Sequence, residues 1–518
     1  MRTALVAHDG KDFDVLVVGG GIAGTSAAQH LAAAGYTVFL AEKGDLASNA
    51  TSRSSRILHC GLRYLAPSDS MFEFLWQPRR FATNWHTARR SIQVRAHFLA
   101  HSPERLRPLR LHIPVYRDSA YKGWQIDLGA RLLEMMNPSP VPIGYRRMKP
   151  AEALALPLIG WLRDADRLQS VAVFDDHQFH WPERLAIDAA LDAERMGAVI
   201  RPYTTVDALA KAEDGTWTAD VFDSHDPARR ARVRARYLLN TAGAWVDRMN
   251  AQAAGAGPKP ARKIVAVKGA HIAVRLPDSC RGYAVAGINR EGEHIFCMPW
   301  GDLHYIGPTE TVYDGDIADV RPTEEDVTFL LDEINHLLPG IGLDRSRVEF
   351  AWAGARAITY DPARAKGRRM PFAVTYDLAG DNLPGAATLS WATIMFHRQT
   401  GAEFARIAGR HVRPSRGPQD LSYAPRRFPE NQNSPPLLEG DTEIKLSDLR
   451  HAAAEEGGRH LVDLLYRRTG LGWKLDVGEA GARRAAEAVA DILNWSEADI
   501  AREVSAYRDY VRRYHLRG

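Results

Sequence analysis

Phe13 to Lys43 reads FDVLVVGGGIAGTSAAQHLAAAGYTVFLAEK. Val15 to Val18 is a short unbroken apolar run of buried-strand type, and it breaks into Gly19, Gly20 and Gly21 with Gly24 following at the spacing of G-x-G-x-x-G. Ile22 to Ala34 is rich in Ala and stops at Gly35, which predicts a helix; Thr37 to Ala41 predicts a second apolar strand closing on Glu42. Together they form a βαβ unit. The glycines differ in what they allow. Gly19 permits the tight turn, Gly21 lets backbone approach a pyrophosphate, and Gly24 lets helix and strand pack closely. The helix start then offers free N–H groups to phosphates. Glu42, roughly twenty residues past the first glycine, is placed to accept from a ribose 2′-hydroxyl, which favours FAD or NAD over NADP.

Outward from that unit, composition narrows the class. A chain of 518 residues leaves room for two to four domains at about 150 residues each. Its 45% hydrophobic and 25% charged residues are those of a folded globular protein. Lys plus Arg number 67 against 63 Asp plus Glu, with no sustained basic tract, so no nucleic-acid partner is expected and Arg229 to Arg236 reads as a solvated face or anion contact. The three cysteines, Cys60, Cys280 and Cys297, form no C-x-x-C, and His177, His271 and His397 lack metal spacing. No metal site is expected, and a reducing compartment fits. With no signal-type start and no run of about 20 apolar residues, a cytoplasmic location is expected, either free or peripheral to the inner membrane face.

After Glu42 the chain becomes small and polar through Ser55, then continues as SSRILHCGLRYL with Arg56, His59, Arg63 and Tyr64. Such a stretch lacks the apolar surface to be buried for its own sake, so it is expected to lie over a polar cofactor. GGGIAG, this Ser/Thr-rich loop and the pattern S-S-[KR]-x-[IL]-H-x-G-L-R-Y-L resemble the FAD-dependent glycerol-3-phosphate dehydrogenase family of DAO-type flavin oxidoreductases. The chain departs at Cys60, where that family usually has Gly. RYLLNTAGAW at Arg236 to Trp245 runs an apolar strand into a tight turn, and in register with the first motif it favours FAD over NAD. RKIVAVKGAHIAV at Arg262 to Val274 resembles the family's K-G-x-H strand, Ile306 to Glu310 stands where the family has I-G-T-T-D, and Gly354-Ala355-Arg356 resembles its G-V-R-P. LLYRRTGLGW at Leu464 to Trp473 resembles its C-terminal helical domain.

The resemblance implies an α/β fold: a Rossmann-type FAD-binding domain of the glutathione-reductase-like class, an antiparallel-sheet substrate domain and a C-terminal helical domain. The expected boundaries are 12–110, 165–260 and 350–411 for the discontinuous FAD domain, and 111–164 with 261–349 for the substrate domain. Residues 412–441, rich in Pro, Ser and Asn, read as a linker to the helices of 442–518. Cofactor contacts are expected from Gly19, Gly21, Gly24, Glu42 and Lys43, and from Thr51, Ser52, Ser54 and Ser55 in the polar loop. Thr241, Ala242, Gly243 and Trp245 are expected on the second turn, and Trp391, Ala392 and Thr393 near the end.

That last stretch is where agreement fails. The family presents G-G-K-[LF]-T-T-[YW]-R, its lysine helping to hold substrate phosphate, whereas this chain has Leu389 to Arg398, LSWATIMFHR. Aligned on the arginine, Thr393 stands at the lysine and Trp391 among the glycines. The implied reaction is hydride transfer from a small polar secondary alcohol, a phosphorylated polyol included, to flavin N5. His59 is the expected base because its ordinary pKa is near neutrality, although a lone His is more often structural. Arg63 and Arg356 offer planar forks for a carboxylate or phosphate. Lys268 is expected to reach N5 through water or to stabilise the reduced flavin, against the alternative of a strand-end lysine in solvent. Alternatives are a flavin oxidase or dehydrogenase acting on an amine or larger hydroxy compound, and a redox-inactive flavin-binding interaction protein. The electron acceptor (quinone, oxygen or a carrier), a homodimer and a peripheral membrane contact stay open.

Overall fold

The structure, a computed structural model, describes residues 4–65, 78–119, 122–363, 373–440 and 443–517, with the side chains of 63, 64 and 78–80 outside the description. The βαβ unit forms as strand Asp12–Val18, helix Ile22–Ala33 and strand Val38–Ala41. The two strands pair in parallel from Val15 with Val38 to Val18 with Ala41. Strand Asp226–Asn240 flanks the other side, again parallel, with Val18 opposite Asn240. Ala386–Leu389 and then Thr375–Asp377 extend that edge, and Val199–Arg201 lies beyond Val38–Ala41. Parallel strands covered on both faces need continuous apolar sequence, and Val15 to Val18 are all buried. Helix Ile22–Ala33 is buried at every position. Only its Ala and Gly content lets it pack between helices Pro182–Arg195 and His397–Ala408.

The second sheet is mainly antiparallel. Leu106–Tyr116 pairs with Leu168–Phe179, and Ile264–Val274 with Val348–Thr359. His294–Trp300 and Leu303–Gly307 make the expected hairpin across Gly301 and Asp302. Two of these strands correct the boundaries read from sequence. Leu168–Phe179 and most of Val348–Thr359 fall in segments assigned to the FAD domain, yet their backbone hydrogen bonds are made in the second sheet. Apolar alternation marks a strand and does not name its sheet.

Helices Leu446–Ala454, Ala482–Leu493 and Glu497–Tyr514 follow, with a π-helical turn at Asp463–Arg468. Their core is continuous with the second sheet: Tyr466 and Trp473 join Tyr305, Phe350 and Trp352, and the Trp352 and Trp473 rings meet edge to face at 5.5 Å. The preceding segment, read as a linker, is a strap fastened to the first strand and the first helix. Gln419 N donates to Ala33 O (2.7 Å), Ser415 N to Asp14 Oδ2 (3.0 Å), and Tyr423 Oη lies 2.8 Å from His30 Nε2. Bonds of this kind leave no periodicity in sequence.

Candidate active site

At the carboxyl edge of the parallel sheet the glycine turn is pressed against the second turn. Gly19 has φ +108°, and a Cβ there would stand 2.7 Å from Thr241 O; a Cβ on Gly24 would stand 1.8 Å from Gly19 O. Thr241 Oγ1 donates to Val18 O at 2.9 Å and completes the contact. Helix Ile22–Ala33 begins at Gly21 with no side-chain cap, and Ile22 N donates to Thr51 Oγ1 (3.1 Å), which folds the polar loop across the helix start. Glu42 accepts from Gly20 N (2.7 Å) and Gly44 N (2.8 Å). Burial raises its pKa, against the lowering effect of those two N–H groups. Lys43 Nζ sits 3.9 Å from the centre of the Trp245 ring.

From this turn a cavity of about 500 Å³ runs to the second sheet. Gly19, Gly21, Glu42, Lys43, Thr51, Ser54 and Ser55 line it, as do Thr241, Ala242, Gly243 and Trp245. At the far end stand Trp391, Ala392 and Thr393 with His59 and Arg356. Three predicted residues, Gly24, Ser52 and Lys268, are placed otherwise, and a fourth, Arg63, is not described at its side chain. Gly24 lies behind the turn and acts through packing. The Ser52 hydroxyl donates to Ala47 O inside the loop. The Arg63 side chain lies outside the described residues, its backbone within the short helix Leu62–Leu65.

Lys268 is the clearest correction. Neighbouring Gly269 and His271 line the cavity, so alternation along Ile264–Val274 turns Lys268 to the other face. There its Nζ donates to Asp326 Oδ2 at 2.6 Å, at the start of helix Glu324–Leu337. The residue facing the cavity is His271, which the sequence left without a role. Its ring stacks on Trp352 (4.9 Å, 8°) and its Nε2 lies 3.0 Å from Ser55 Oγ. Burial, with Arg356 and Arg56 nearby, lowers its pKa to about 3, so it is neutral at pH 7. The parity of RKIVAVKGAHIAV carried the signal: Lys268 and His271 differ by three and cannot share a face.

Arg356 Nη2 donates to Glu310 Oε1 at 2.6 Å. Arg56, at φ +58°, is buried between the Trp300 and Trp473 rings, 4.2 Å from each centre, with Glu183 3.7 Å away. Cys60 is a buried thiol with its pKa raised by burial, and its N–H donates to Asp176 Oδ2 (3.1 Å). Trp391 packs on Val265, Val267 and Ile358 and fills space between the two sheets. Thr393 Oγ1 is buried without a hydrogen-bond partner among the described residues. Arg398, on which the family pattern aligns, turns away: it contacts His97 Nδ1 (2.8 Å) and stacks between Phe98 and Tyr423. Among the described residues no three His, Cys, Asp or Glu are grouped to hold a metal.

These features fit FAD. The side-chain-free Gly19 to Gly21 backbone at the helix start suits a pyrophosphate, Glu42 a ribose, and the long cavity with the Thr393 hydroxyl a flavin ring. Residues 14–390 match the family described as DAO, FAD dependent oxidoreductase. A glycerol-3-phosphate dehydrogenase of Synechocystis is 30% identical over 403 residues, 76% of this chain and 69% of that protein. Glycerol-3-phosphate dehydrogenase 2 of Mycobacterium bovis is 29% identical over 96% of this chain and 88% of its own length. The solved glycerol-3-phosphate dehydrogenase of Bacillus halodurans, complexed with FAD, shares the fold at TM-score 0.71 and 19% identity, covering 98% of this chain and 96% of that one. The chain thus belongs to the DAO family of FAD dependent oxidoreductases, as an enzyme similar to glycerol-3-phosphate dehydrogenase.

Proposed function

We propose that this FAD-dependent oxidoreductase oxidises the secondary alcohol of a small phosphorylated polyol. The observation that carries the reading is the continuity of one cavity from the Gly19 to Gly21 turn to His59, His271, Arg356 and Trp391. The names of the relatives support the substrate class. The alcohol C–H bond breaks with its electron pair leaving as hydride, the O–H proton goes to a base, and a carbonyl forms. FAD, when bound, supplies the hydride acceptor. His59 lines the cavity half-buried and takes the proton. His271 is too acidic to hold it and keeps Ser55 in place through their hydrogen bond. Arg356 uses one arm on Glu310 and directs the rest of its fork to an anion. Thr393 offers a hydroxyl where the resembling family has an ammonium group, so glycerol 3-phosphate itself should bind weakly. An anaerobic screen tests this: phosphorylated polyols should bleach the flavin absorbance, and bleaching by amines alone would overturn the reading.

We further propose that the flavin is reoxidised at a membrane surface, which favours a quinone over oxygen as the acceptor. Helix Gly123–Met136 presents Trp124, Leu128 and Met135 along one face, 55%, 42% and 82% exposed. Its Gly129 packs on Leu62, three residues past His59. No helix among the described residues is long and apolar enough to cross a membrane. Wild-type protein should sediment with anionic vesicles and Met135→Gln/Trp124→Gln should not; stoichiometric peroxide after substrate oxidation would instead make oxygen the acceptor.

A further inference from the structure

Arg467 to Trp473, RRTGLGW, is remote in sequence from the cofactor turn and has no part in the reaction above. We propose that this C-terminal stretch is a clamp on the cofactor loop, fixing its start at Asp45 and its end at Arg56, which makes Asp45, Arg467, Arg468 and Trp473 positioning residues for FAD. The proposal rests on the flavin occupying the cavity described.

The two ends are held by different chemistry. Asp45 is buried just past Glu42, and its carboxylate accepts three hydrogen bonds: Oδ2 from Arg467 Nε and Arg468 Nη1 (2.6 Å each), and Oδ1 from Arg468 Nη2 (2.7 Å). The π-helical turn Asp463–Arg468 is what aims two consecutive arginines at one carboxylate. Both arginines are themselves fixed, Arg467 by Asp463 Oδ1 (2.5 Å) and Arg468 by Glu456 O (3.2 Å). At the far end the Trp473 ring covers the Arg56 guanidinium, Trp473 Nε1 donates to Glu183 Oε1 (2.8 Å), and Trp300 Nε1 donates to Trp473 O (3.2 Å).

Between the clamped ends the loop does its work on the cavity side. Ala47 N donates to Gly20 O (3.0 Å), Thr51 meets the helix start, and Ser54 and Ser55 line the cavity, Ser55 holding His271. Past Leu46 and Ala47, which are buried in the core, the loop has little apolar burial to fix its shape, so anchors at both ends set it. Burying an ion cluster is also a poor way to gain stability and a good way to specify one arrangement. Burial alone would raise the Asp45 pKa, yet Arg468 and Arg467 hold it at about 2, so the clamp stays charged at any working pH.

The whole protein tests this through FAD affinity, measured by flavin fluorescence on titrating apoprotein, and through the visible circular dichroism of bound flavin. Asp45→Asn should weaken FAD at least tenfold and alter the dichroism. Arg467→Met, which keeps both bonds from Arg468, should weaken it about threefold, and Trp473→Leu should change the dichroism with a smaller loss of affinity. Val489→Ala cuts the same C-terminal core without touching the loop and should lower the melting temperature while leaving affinity and dichroism alone. Asp45→Asn binding within twofold of wild type overturns the clamp. If Asp45→Asn does not fold, Arg467→Met decides: behaviour identical to Val489→Ala overturns it equally. Wild-type apoprotein that takes up no FAD would instead remove the underlying flavin reading, and the clamp with it.

Discussion

The two ends of the cavity are made of different material. At the cofactor end, backbone touches backbone: Gly19 against Thr241 O, Gly24 against Gly19 O, Gly20 N on Glu42. At the other end, proposed to take the substrate, the features that matter are side chains on strands and loops: His59, His271, Arg356 with Glu310, Trp391, Thr393. Backbone contacts admit one residue type and are hard to alter, whereas side chains can be exchanged within a fixed frame. One scaffold can therefore keep its cofactor while its substrate drifts.

The severest way to break this contrast is at Gly24. Gly24→Ala places a methyl group where 1.8 Å separates it from a carbonyl oxygen, so turn and helix must part. The protein should be recovered without flavin, with the 450 nm to 280 nm absorbance ratio near zero. Full flavin content would show that the cofactor end is as adjustable as the other. Arg356→Leu should act in the opposite sense, leaving the yellow protein intact while kcat/KM for a phosphorylated polyol drops roughly a hundredfold, about 3 kcal/mol. Unchanged steady-state kinetics would take Arg356 out of the site.

A gain is expected at Thr393. Its hydroxyl has no hydrogen-bond partner among the described residues, so Thr393→Lys breaks no described hydrogen bond and puts an ammonium group on the wall. KM for glycerol 3-phosphate should fall about tenfold, roughly 1.4 kcal/mol, with kcat little changed. An unaltered KM would mean that the backbone of Ser390 to Thr393 points this position away from the phosphate.

What the sequence disclosed follows the same division. The glycine spacing and flanking apolar runs identify the βαβ unit because steric exclusion leaves a trace in residue type. The strands of the second sheet were visible as alternation, but partners were not: Leu168–Phe179 and Val348–Thr359 join a sheet their neighbours in sequence do not. The strap of 412–440 was hidden because its anchors are single hydrogen bonds, some from backbone and some from side chains such as Tyr423, to partners remote in sequence, which composition does not record. Arg398 shows the limit of motif matching, since the residue that fixes the alignment faces Phe98 and Tyr423 rather than the cavity. Asp45 and Arg468, 423 positions apart, could be joined only in three dimensions.

Lys268 gives the smallest expected effect and the sharpest test of side-chain direction. The resemblance placed it at the flavin, and strand parity places it with Asp326, on the face covered by helix Glu324–Leu337. Asp326 Oδ2 also accepts from Thr323 N (2.9 Å), so the ion pair is tied into the helix cap. Lys268→Met removes one charge-assisted bond from a mostly buried pair and should cost about 1 to 3 kcal/mol of stability, seen as a lower melting temperature. The rate of flavin reduction by substrate should stay within twofold of wild type, because no contact to the cavity is lost. A tenfold slower reduction at an unchanged melting temperature would put Lys268 at the flavin after all. Parity would then have failed on a strand whose eleven residues, Ile264 to Val274, are all buried and therefore held in register from both faces.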